Sequence, residues 1–394
     1  RFARIYTPMI FASAIMVALV PPLFFGGVWI DWIYRSLVLL VIGCPCALVI
    51  STPVAIVASL ASSARQGILL KGGRVAELPA KLKVVALDKQ GTLTHGRPTV
   101  VTVVPFGELD ERTLLGYAAG LEMMSTHPIA TAILRRAEEM EIDVVSATDV
   151  LAIHGKGIEG RIAGQLFWLG SRRWLEERGQ DDQSYHKQLD LLSSKGQTLV
   201  VVGDEEHVYG LIAVMDEIRT ESRDALIALR SNGVRSIVML TGDNAVTANA
   251  VAEQVGVDSV YSELLPEDKA AIVDQLQRNI GPVAMIGDGI NDAPALARAT
   301  LGIAMGAVGT DVAIETSDIA LMSDDLSKLA WLIEHSHKTL AVIRWNTALA
   351  LGIKVVFVIL TFTGIATLWG AVAADIGASL LVVFNALRLL KQQG

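Results

Sequence analysis

The stretch Val84-Val85-Ala86-Leu87-Asp88-Lys89-Gln90-Gly91-Thr92-Leu93-Thr94 joins an apolar run to an acidic, glycine-bearing turn. Residues 83–87 read as a buried strand of a parallel sheet. A short unbroken run of aliphatic side chains bounded by turn residues suits a strand covered on both faces. Asp88 then sits at the carboxyl end of that strand, where open α/β sheets place their ligands. Two further runs end the same way: residues 236–240 lead into Thr241-Gly242-Asp243-Asn244, and residues 283–286 lead into Gly287-Asp288-Gly289-Ile290-Asn291-Asp292.

Taken singly, an acidic turn is most often a solvated loop or a helix cap. Successive strand ends that all carry one, with Lys269 between the second and third, point instead to a shared site. Carboxylates brought side by side can hold Mg²⁺ through one or two side chains, with phosphate oxygens and waters completing the shell. The small Gly and Thr residues leave backbone N–H groups free to face phosphate. Lys269, in Pro266-Glu267-Asp268-Lys269 ahead of an amphipathic stretch, supplies a fixed positive charge for a transferring group. Asp88 is then the nucleophile, forming an aspartyl-phosphate.

Outward from this α/β core the composition changes. The chain of 394 residues is 52% hydrophobic and only 19% charged, too apolar for an ordinary soluble enzyme. Its 33 basic and 41 acidic residues, net charge −8, give no electrostatic footprint for nucleic acid. The apolar residues concentrate at the ends. Residues 5–30 and 36–64 carry no charge, and each run exceeds the roughly 20 residues needed to cross hydrocarbon. They predict two membrane helices joined by a turn near Asp31. Residues 340–363 and 368–389 predict a second such hairpin, with Lys354 and Asp375 deep within it. Basic residues flank the helices where they meet the middle of the chain (Arg65, Lys71, Arg74, Lys338, Arg344, Arg388), which by the positive-inside rule predicts cytoplasmic termini and a cytoplasmic middle.

The membrane part carries its own chemistry. Pro45 cannot donate to the helix ladder and clashes with the carbonyl one turn earlier, so the second helix should open there and free backbone oxygens. Cys44 and Cys46, the two cysteines of the chain, project at that break. Ionisable residues deep in a bilayer are costly and functional by default; Lys354 and Asp375, of opposite sign on adjacent helices, are expected to meet. Two thiolates and a carboxylate suit Zn²⁺ or a similar borderline-soft divalent ion. The C-terminal pair of helices contains no Met or Cys, so a thioether-rich Cu⁺ site is hard to assemble.

The insert at about residues 107–208 reads as a separate lobe, helical first and strand-rich around residues 160–170 and 198–211. Its Gly155-Lys156-Gly157-Ile158-Glu159-Gly160 matches G-x-G-x-x-G. A dinucleotide reading needs a helix after the glycines, whereas Arg161 to Gly170 reads as strand. No G-x-x-x-x-G-K-[ST] occurs either, which excludes a P-loop.

Asp-Lys-x-Gly-Thr-Leu-Thr, Thr-Gly-Asp-Asn and Gly-Asp-Gly-Ile-Asn-Asp-Ala-Pro-Ala-Leu, in this order between membrane helices, resemble the P-type ATPases, whose phosphorylation domain has the haloacid-dehalogenase-like fold. Cys44-Pro45-Cys46, together with the runs from Asn346 to Lys354 and from Ala374 to Leu390, is similar to the zinc/cadmium/lead-exporting branch. The resemblance implies an α-helical transmembrane part plus an α/β haloacid-dehalogenase-like phosphorylation domain with an inserted α+β nucleotide-binding domain. The expected division is 1–71, two transmembrane helices; 72–106 and 209–337, the phosphorylation domain; 107–208, the nucleotide-binding domain; and 338–394, two further transmembrane helices.

Residue by residue, the resemblance makes Asp88 the phosphorylated residue, with Lys89 and Thr92 beside it. Thr241, Gly242 and Asp243 line the phosphate, Lys269 stabilises the phosphoryl group, and Mg²⁺ is held by Asp88, Asp288 and the Gln90 carbonyl, with Asn291 and Asp292 in support. Glu122, His127, Pro128, Gly155 and Gly157 bind ATP, and Asp216 to Arg219 form a hinge. The transported Zn²⁺, Cd²⁺ or Pb²⁺ would take Cys44, Cys46 and Asp375, with Lys354 as built-in counter-ion. The implied partners are therefore ATP, divalent heavy-metal ions and the lipid bilayer.

Two departures from the family pattern matter. Gln90 stands where the family has Thr, which predicts slower phosphorylation. No Thr-Gly-Glu occurs anywhere and no Met opens the chain, which leads to the expectation of a carboxy-terminal portion lacking an actuator domain and unable to complete a transport cycle. A membrane-anchored phosphatase and a non-catalytic ATP- or metal-binding remnant stand as the alternatives.

Overall fold

The computed structural model describes residues 2–153, 155–180, 182–288, 292–305 and 315–391. It forms two compact units, Arg1–Ala80 with Trp331–Gly394, and Lys81–Ala330. The divisions fall at 80/81 and 330/331, not at the expected 71/72 and 337/338. Ser336 Oγ donates to the Ala76 carbonyl at 2.7 Å and accepts from Ala80 N–H at 3.2 Å, which ties the chain ahead of residue 81 to the helix at 331 onward.

In the first unit four segments are long and apolar enough to cross a membrane: Tyr6–Phe25, Trp29–Arg65, Ser327–Phe362 and Leu368–Lys391. The first connection is not at Asp31. It lies at residues 26–28, where Gly26 takes φ +68° and a Cβ on Gly27 would come within 2.3 Å of the Trp32 indole nitrogen. Asp31 instead occupies the first turn of the following helix, where the positive end of the helix dipole favours a carboxylate. The second segment is two helices, Trp29–Gly43 and Cys46–Arg65, broken at Cys44-Pro45 as the missing proline donor requires. Small residues line the contacts between helices: Ala47, Ala350 and Ala378 in one cluster, and Ala55, Ala58 and Ala386 in the next. Such residues let membrane helices approach closely.

The second unit holds two sheets. The parallel one carries, in order, Ile319–Leu321, Leu301–Ala304, Val283–Gly287, Val84–Asp88, Ser236–Leu240 and Ser259–Tyr261. The three strands expected from the sequence are therefore adjacent, with Val84–Asp88 in the middle. Val84 lies opposite both Val283 and Ser236, so Asp88, Thr241 and Asp288 emerge at one edge of the sheet. Val84 to Leu87 are wholly buried, as the unbroken apolar run requires.

The other sheet is antiparallel, in the order Thr99–Pro105, Val208–Met215, Thr198–Asp204, Gln165–Gly170, Gly157–Ile162 and Thr148–Ile153. Helices Glu111–Glu122 and Pro128–Glu139 pack on it around Leu115, Ile133 and Phe167. Its first two strands lie mostly outside residues 107–208, so the lobe is wider than the sequence suggests. The Gly157–Ile162 strand pairs antiparallel with Gln165–Gly170 and no helix follows it, which removes the dinucleotide reading.

Candidate functional site

At the carboxyl edge of the parallel sheet, Lys269 Nζ donates to Asp88 Oδ1 at 2.5 Å and to Asp292 Oδ1 at 2.7 Å. All three side chains are buried. Lys269 is presented from the helix Pro266–Asn279, whose first turn carries Glu267 and Asp268. Burial, then the neighbouring Asp292 charge, push the Asp88 carboxyl up to about 7 despite the opposing pull of Lys269. Burial likewise raises Asp292. Burial opposes the Lys269 charge, but Asp88 and Asp292 outweigh it and hold the ammonium above its ordinary range.

The loop that follows Asp88 is built around this triangle. Gln90 is extended, and Gly91 turns the chain with φ +73°. A Cβ on Gly91 would lie 3.9 Å from the Asp288 Cβ, which puts Asp288 against the loop. Its charge adds to the upward push on Asp88. Lys89 Nζ donates to Asp243 Oδ2, and Thr241 Oγ1 accepts from Asp243 N–H at 3.1 Å. Among the described residues the buried Thr92 hydroxyl has no hydrogen-bond partner. Asn291 lies outside the described residues.

The Asp88 carboxyl with Asp288 against its loop supplies oxygen donors of the kind that suit a hard, oxygen-seeking divalent cation such as Mg²⁺. Asp88 and Asp288, with the carbonyl of the extended Gln90, are the residues that would hold it.

Residues 216–219, expected as a hinge, contact the loop that follows Asp88. Asp216 Oδ2 accepts from Thr94 Oγ1 at 2.5 Å and from Gly96 N–H at 3.1 Å. The buried Arg219 donates through Nε to the Thr94 carbonyl at 3.0 Å and through Nη2 to the Gly91 carbonyl at 3.4 Å. The segment thus holds the loop through the Thr94 hydroxyl, the Gly96 N–H and the Gly91 and Thr94 carbonyls, and the backbone partners among these leave no mark in sequence.

In the antiparallel lobe, Glu122, His127, Gly155 and Gly157 line one cavity of about 470 Å³, together with Ser125 and Lys156. Pro128 does not line it; it is the first residue of the Pro128–Glu139 helix, and His127 caps that helix by accepting from Ile129 N–H at 3.2 Å through Nδ1. Burial raises the Glu122 carboxyl. Gly157 is required by space, since a Cβ there would sit 2.1 Å from the Leu169 carbonyl oxygen. An adjoining cleft of about 740 Å³ shares Gly155 and Ser171 with this cavity and reaches Gly242 and Asp243. Cavity and cleft therefore adjoin, from Glu122 and His127 to the strand-end residues Gly242 and Asp243.

At the break in the membrane unit, Lys354 Nζ donates to the carbonyls of Ile42 (2.8 Å) and Cys44 (2.5 Å) and to Asp375 Oδ1 at 3.1 Å. These three bonds use every donor of the ammonium. The expected meeting of Lys354 and Asp375 is present. The carbonyl partners were not foreseen, although Pro45 signalled that carbonyls would be freed. Cys44 and Cys46 are joined as a disulfide across Pro45, with Cα atoms 5.5 Å apart, rather than standing as two thiolates. A metal takes these sulfurs only in the reduced form. Among the described residues no three His, Cys, Asp or Glu side chains converge as a cage; Asp375 reaches the cysteine segment through Lys354.

Residues 82–300, more than half of the chain, match the haloacid dehalogenase-like hydrolase family. The chain belongs to that family. Over its length this haloacid dehalogenase-like hydrolase is similar to heavy-metal P-type ATPases. It is 45% identical to a cadmium-transporting ATPase of Staphylococcus aureus over 99% of this chain and 54% of the relative. It is also 45% identical to the zinc/cadmium/lead-transporting P-type ATPase of Escherichia coli (strain K12), over 100% of this chain and 52% of that one. A crystal structure of a zinc-transporting PIB-type ATPase in the E2.Pi state superposes with a TM-score of 0.78 at 46% identity, covering 99% of this chain and 63% of that structure. The chain thus spans about half the length of the curated relatives it matches.

Proposed function

We propose that this chain carries the phosphorylation, nucleotide and ion sites of an ATP-driven exporter of Zn²⁺, Cd²⁺ or Pb²⁺, a P-type ATPase working through an aspartyl-phosphate. The observation that carries the reading is the buried Asp88–Lys269–Asp292 triangle at the sheet edge, in a chain whose broken membrane helix presents two cysteines beside a lysine–aspartate pair.

ATP seats its base in the cavity lined by Glu122 and His127 and runs its phosphates along the adjoining cleft toward Gly242 and Asp243. An Asp88 carboxylate oxygen attacks the γ-phosphorus, the bond to the bridging oxygen breaks, and ADP leaves. Lys269 moves its charge from the carboxylates to the phosphoryl oxygens as they gain charge. Thr92 and the N–H groups about Thr241 and Gly242 donate to the same oxygens. Mg²⁺, when bound, neutralises phosphate charge beside Asp88 and Asp288.

In the membrane unit, the reduced Cys44 and Cys46 with Asp375 hold the cation, and Lys354 returns to Asp375 on release. The soluble unit and both ends of the chain face the cytoplasm, as the basic residues indicate.

The test is acid-stable phosphoenzyme formed from [γ-³²P]ATP by the protein expressed from its complete open reading frame, across Zn²⁺, Cd²⁺, Pb²⁺ and Cu⁺. Label is expected with the first three, absent in Asp88→Asn, and insensitive to metal in the Cys44→Ala/Cys46→Ala variant. Label that ignores every metal in the parent protein would overturn the reading.

A further inference from the structure

Asn346 is fully buried in the membrane unit at 0% exposure, and the ion site described above makes no use of it. Its Nδ2 donates to the Val382 carbonyl at 3.0 Å, and its Oδ1 accepts from Asn385 Nδ2 at 2.7 Å. We propose that Asn346 is a positioning residue for the Lys354–Asp375 pair, its clasp on Val382 and Asn385 fixing the axial register of the Ser327–Phe362 and Leu368–Leu387 helices. The inference rests on the metal-transport reading and goes beyond it in assigning a residue that touches neither cation nor nucleotide.

The spacing supports this. At about 1.5 Å of rise per residue, Asn346 lies about 12 Å along its helix from Lys354, and Val382 lies about 10 Å along the partner helix from Asp375. The clasp and the ion pair are therefore two rungs of nearly equal separation between the same two helices. Between the rungs the contact is made by Ala350 and Ala378, with Ala47 and Val382. Alanines permit close approach but interlock weakly, and in hydrocarbon no hydrophobic force holds one helix against another at a given height. A slip of one residue displaces Lys354 by about 1.5 Å, enough to break its 3.1 Å contact with Asp375.

A buried amide in a membrane helix is unfavourable unless it is paired. Here both halves of the Asn346 amide are used, and both partners lie on the one helix that carries Asp375. Fixing register is the best attested use of a lone buried polar residue between helices.

The experiment measures phosphoenzyme from [γ-³²P]ATP against zinc concentration, using the complete open reading frame as wild type, Asn346→Leu, Lys354→Ala and the double variant. Leucine keeps the volume and removes the clasp. Asn346→Leu is expected to lower the half-saturating zinc concentration about threefold or more, because an ammonium that has slipped from Asp375 no longer competes with the cation for it, and to leave half-saturation by ATP unchanged. In the Lys354→Ala background it is expected to add nothing, because a residue acting through Lys354 is non-additive with its loss. Asn385→Ala, which removes half of the clasp, is expected to give a smaller shift of the same kind, and it carries the test if Asn346→Leu does not fold.

An unchanged or weakened zinc dependence overturns the proposal, as does a full independent shift in the double variant, the mark of a merely structural role. Wild-type label that ignores zinc overturns the transport reading and this inference together. It is told apart because it is seen before any variant is made.

Discussion

Replacing Lys269 by methionine removes one buried cation from between two buried carboxylates while keeping the length of the side chain. At the observed contacts of 2.5 and 2.7 Å, and an effective dielectric of about 20, each attraction is on the order of 6 kcal/mol before desolvation is subtracted. Most of that gross attraction exists before the reaction begins and does not lower its barrier. What counts is the part that grows as charge develops on the phosphoryl oxygens, about 3 to 4 kcal/mol for a single fixed donor in a dry site. Lys269→Met is therefore expected to slow formation of the aspartyl-phosphate about 10²- to 10³-fold. Lys269→Arg keeps the charge but must fit a planar fork into a site 7% exposed, and is expected to lose about tenfold. The assay is rapid-quench measurement of acid-stable label after mixing with saturating [γ-³²P]ATP. Nucleotide affinity, measured separately, should hold, since Lys269 does not line the cavity of Glu122 and His127. Phosphorylation by Lys269→Met within threefold of wild type would show that the ammonium only neutralises Asp88 and Asp292, and the electrostatic argument would be wrong.

Gly157→Ala drives a methyl to within 2.1 Å of the Leu169 carbonyl and parts two paired strands under the cavity; nucleotide affinity by equilibrium binding should fall at least about tenfold, a cost of the order expected for overpacking. Lys354→Ala leaves the Ile42 and Cys44 carbonyls and Asp375 without their shared donor; zinc should then leave the site more slowly, read as a lower metal-stimulated turnover with zinc still bound. Unchanged turnover and release would remove the counter-ion role. Gln90→Thr places a short hydroxyl two residues after Asp88 in place of a longer amide, and should raise the rate of phosphoenzyme formation; an equal rate would show that the loop tolerates glutamine.

The sheet was legible because burial on both faces writes itself as an unbroken apolar run. The Asp-bearing turns then marked the strand ends, so Val84–Asp88, Ser236–Leu240 and Val283–Gly287 could be placed without knowing their neighbours. The membrane segments were legible for the same reason of length and polarity. Asp31 misled because a lone charge between apolar runs suits a turn and the first turn of a helix equally, and the glycines at 26 and 27 decided the matter. The strands Thr99–Pro105 and Val208–Met215 escaped the inserted lobe because their pairing is long-range and nothing local says to which sheet a strand belongs. Least legible were contacts made to backbone oxygen, such as Lys354 on Ile42 and Cys44 or Arg219 on Gly91 and Thr94, since an acceptor carbonyl has no letter of its own.

The two sites solve one physical problem in the same way. Each must hold carboxylate in a place shielded from water until its own ligand arrives, and unpaired buried charge is too costly to keep. In each a lysine from another helix supplies the balance: Lys269 for Asp88 and Asp292, Lys354 for Asp375 and the freed carbonyls. Each lysine then sets a threshold as well as a balance. A ligand gains the site only by offering the ammonium something better, or by replacing what the ammonium gave. On the proposed function, phosphoryl oxygens would meet the first condition at Lys269, accepting its donors as charge develops on them. A divalent cation would meet the second at Lys354, binding the Asp375 carboxylate and, once the disulfide is reduced, both cysteine sulfurs. A monovalent cation offers Asp375 no more than the ammonium already does and brings no affinity for sulfur. On the proposed function, selectivity against monovalent ions would therefore follow from the lysine itself. In Lys354→Ala it should weaken, with sodium or potassium beginning to compete with zinc for Asp375 in a binding titration. A wild-type-like insensitivity to both salts would separate selectivity from the lysine and leave it to the sulfurs alone.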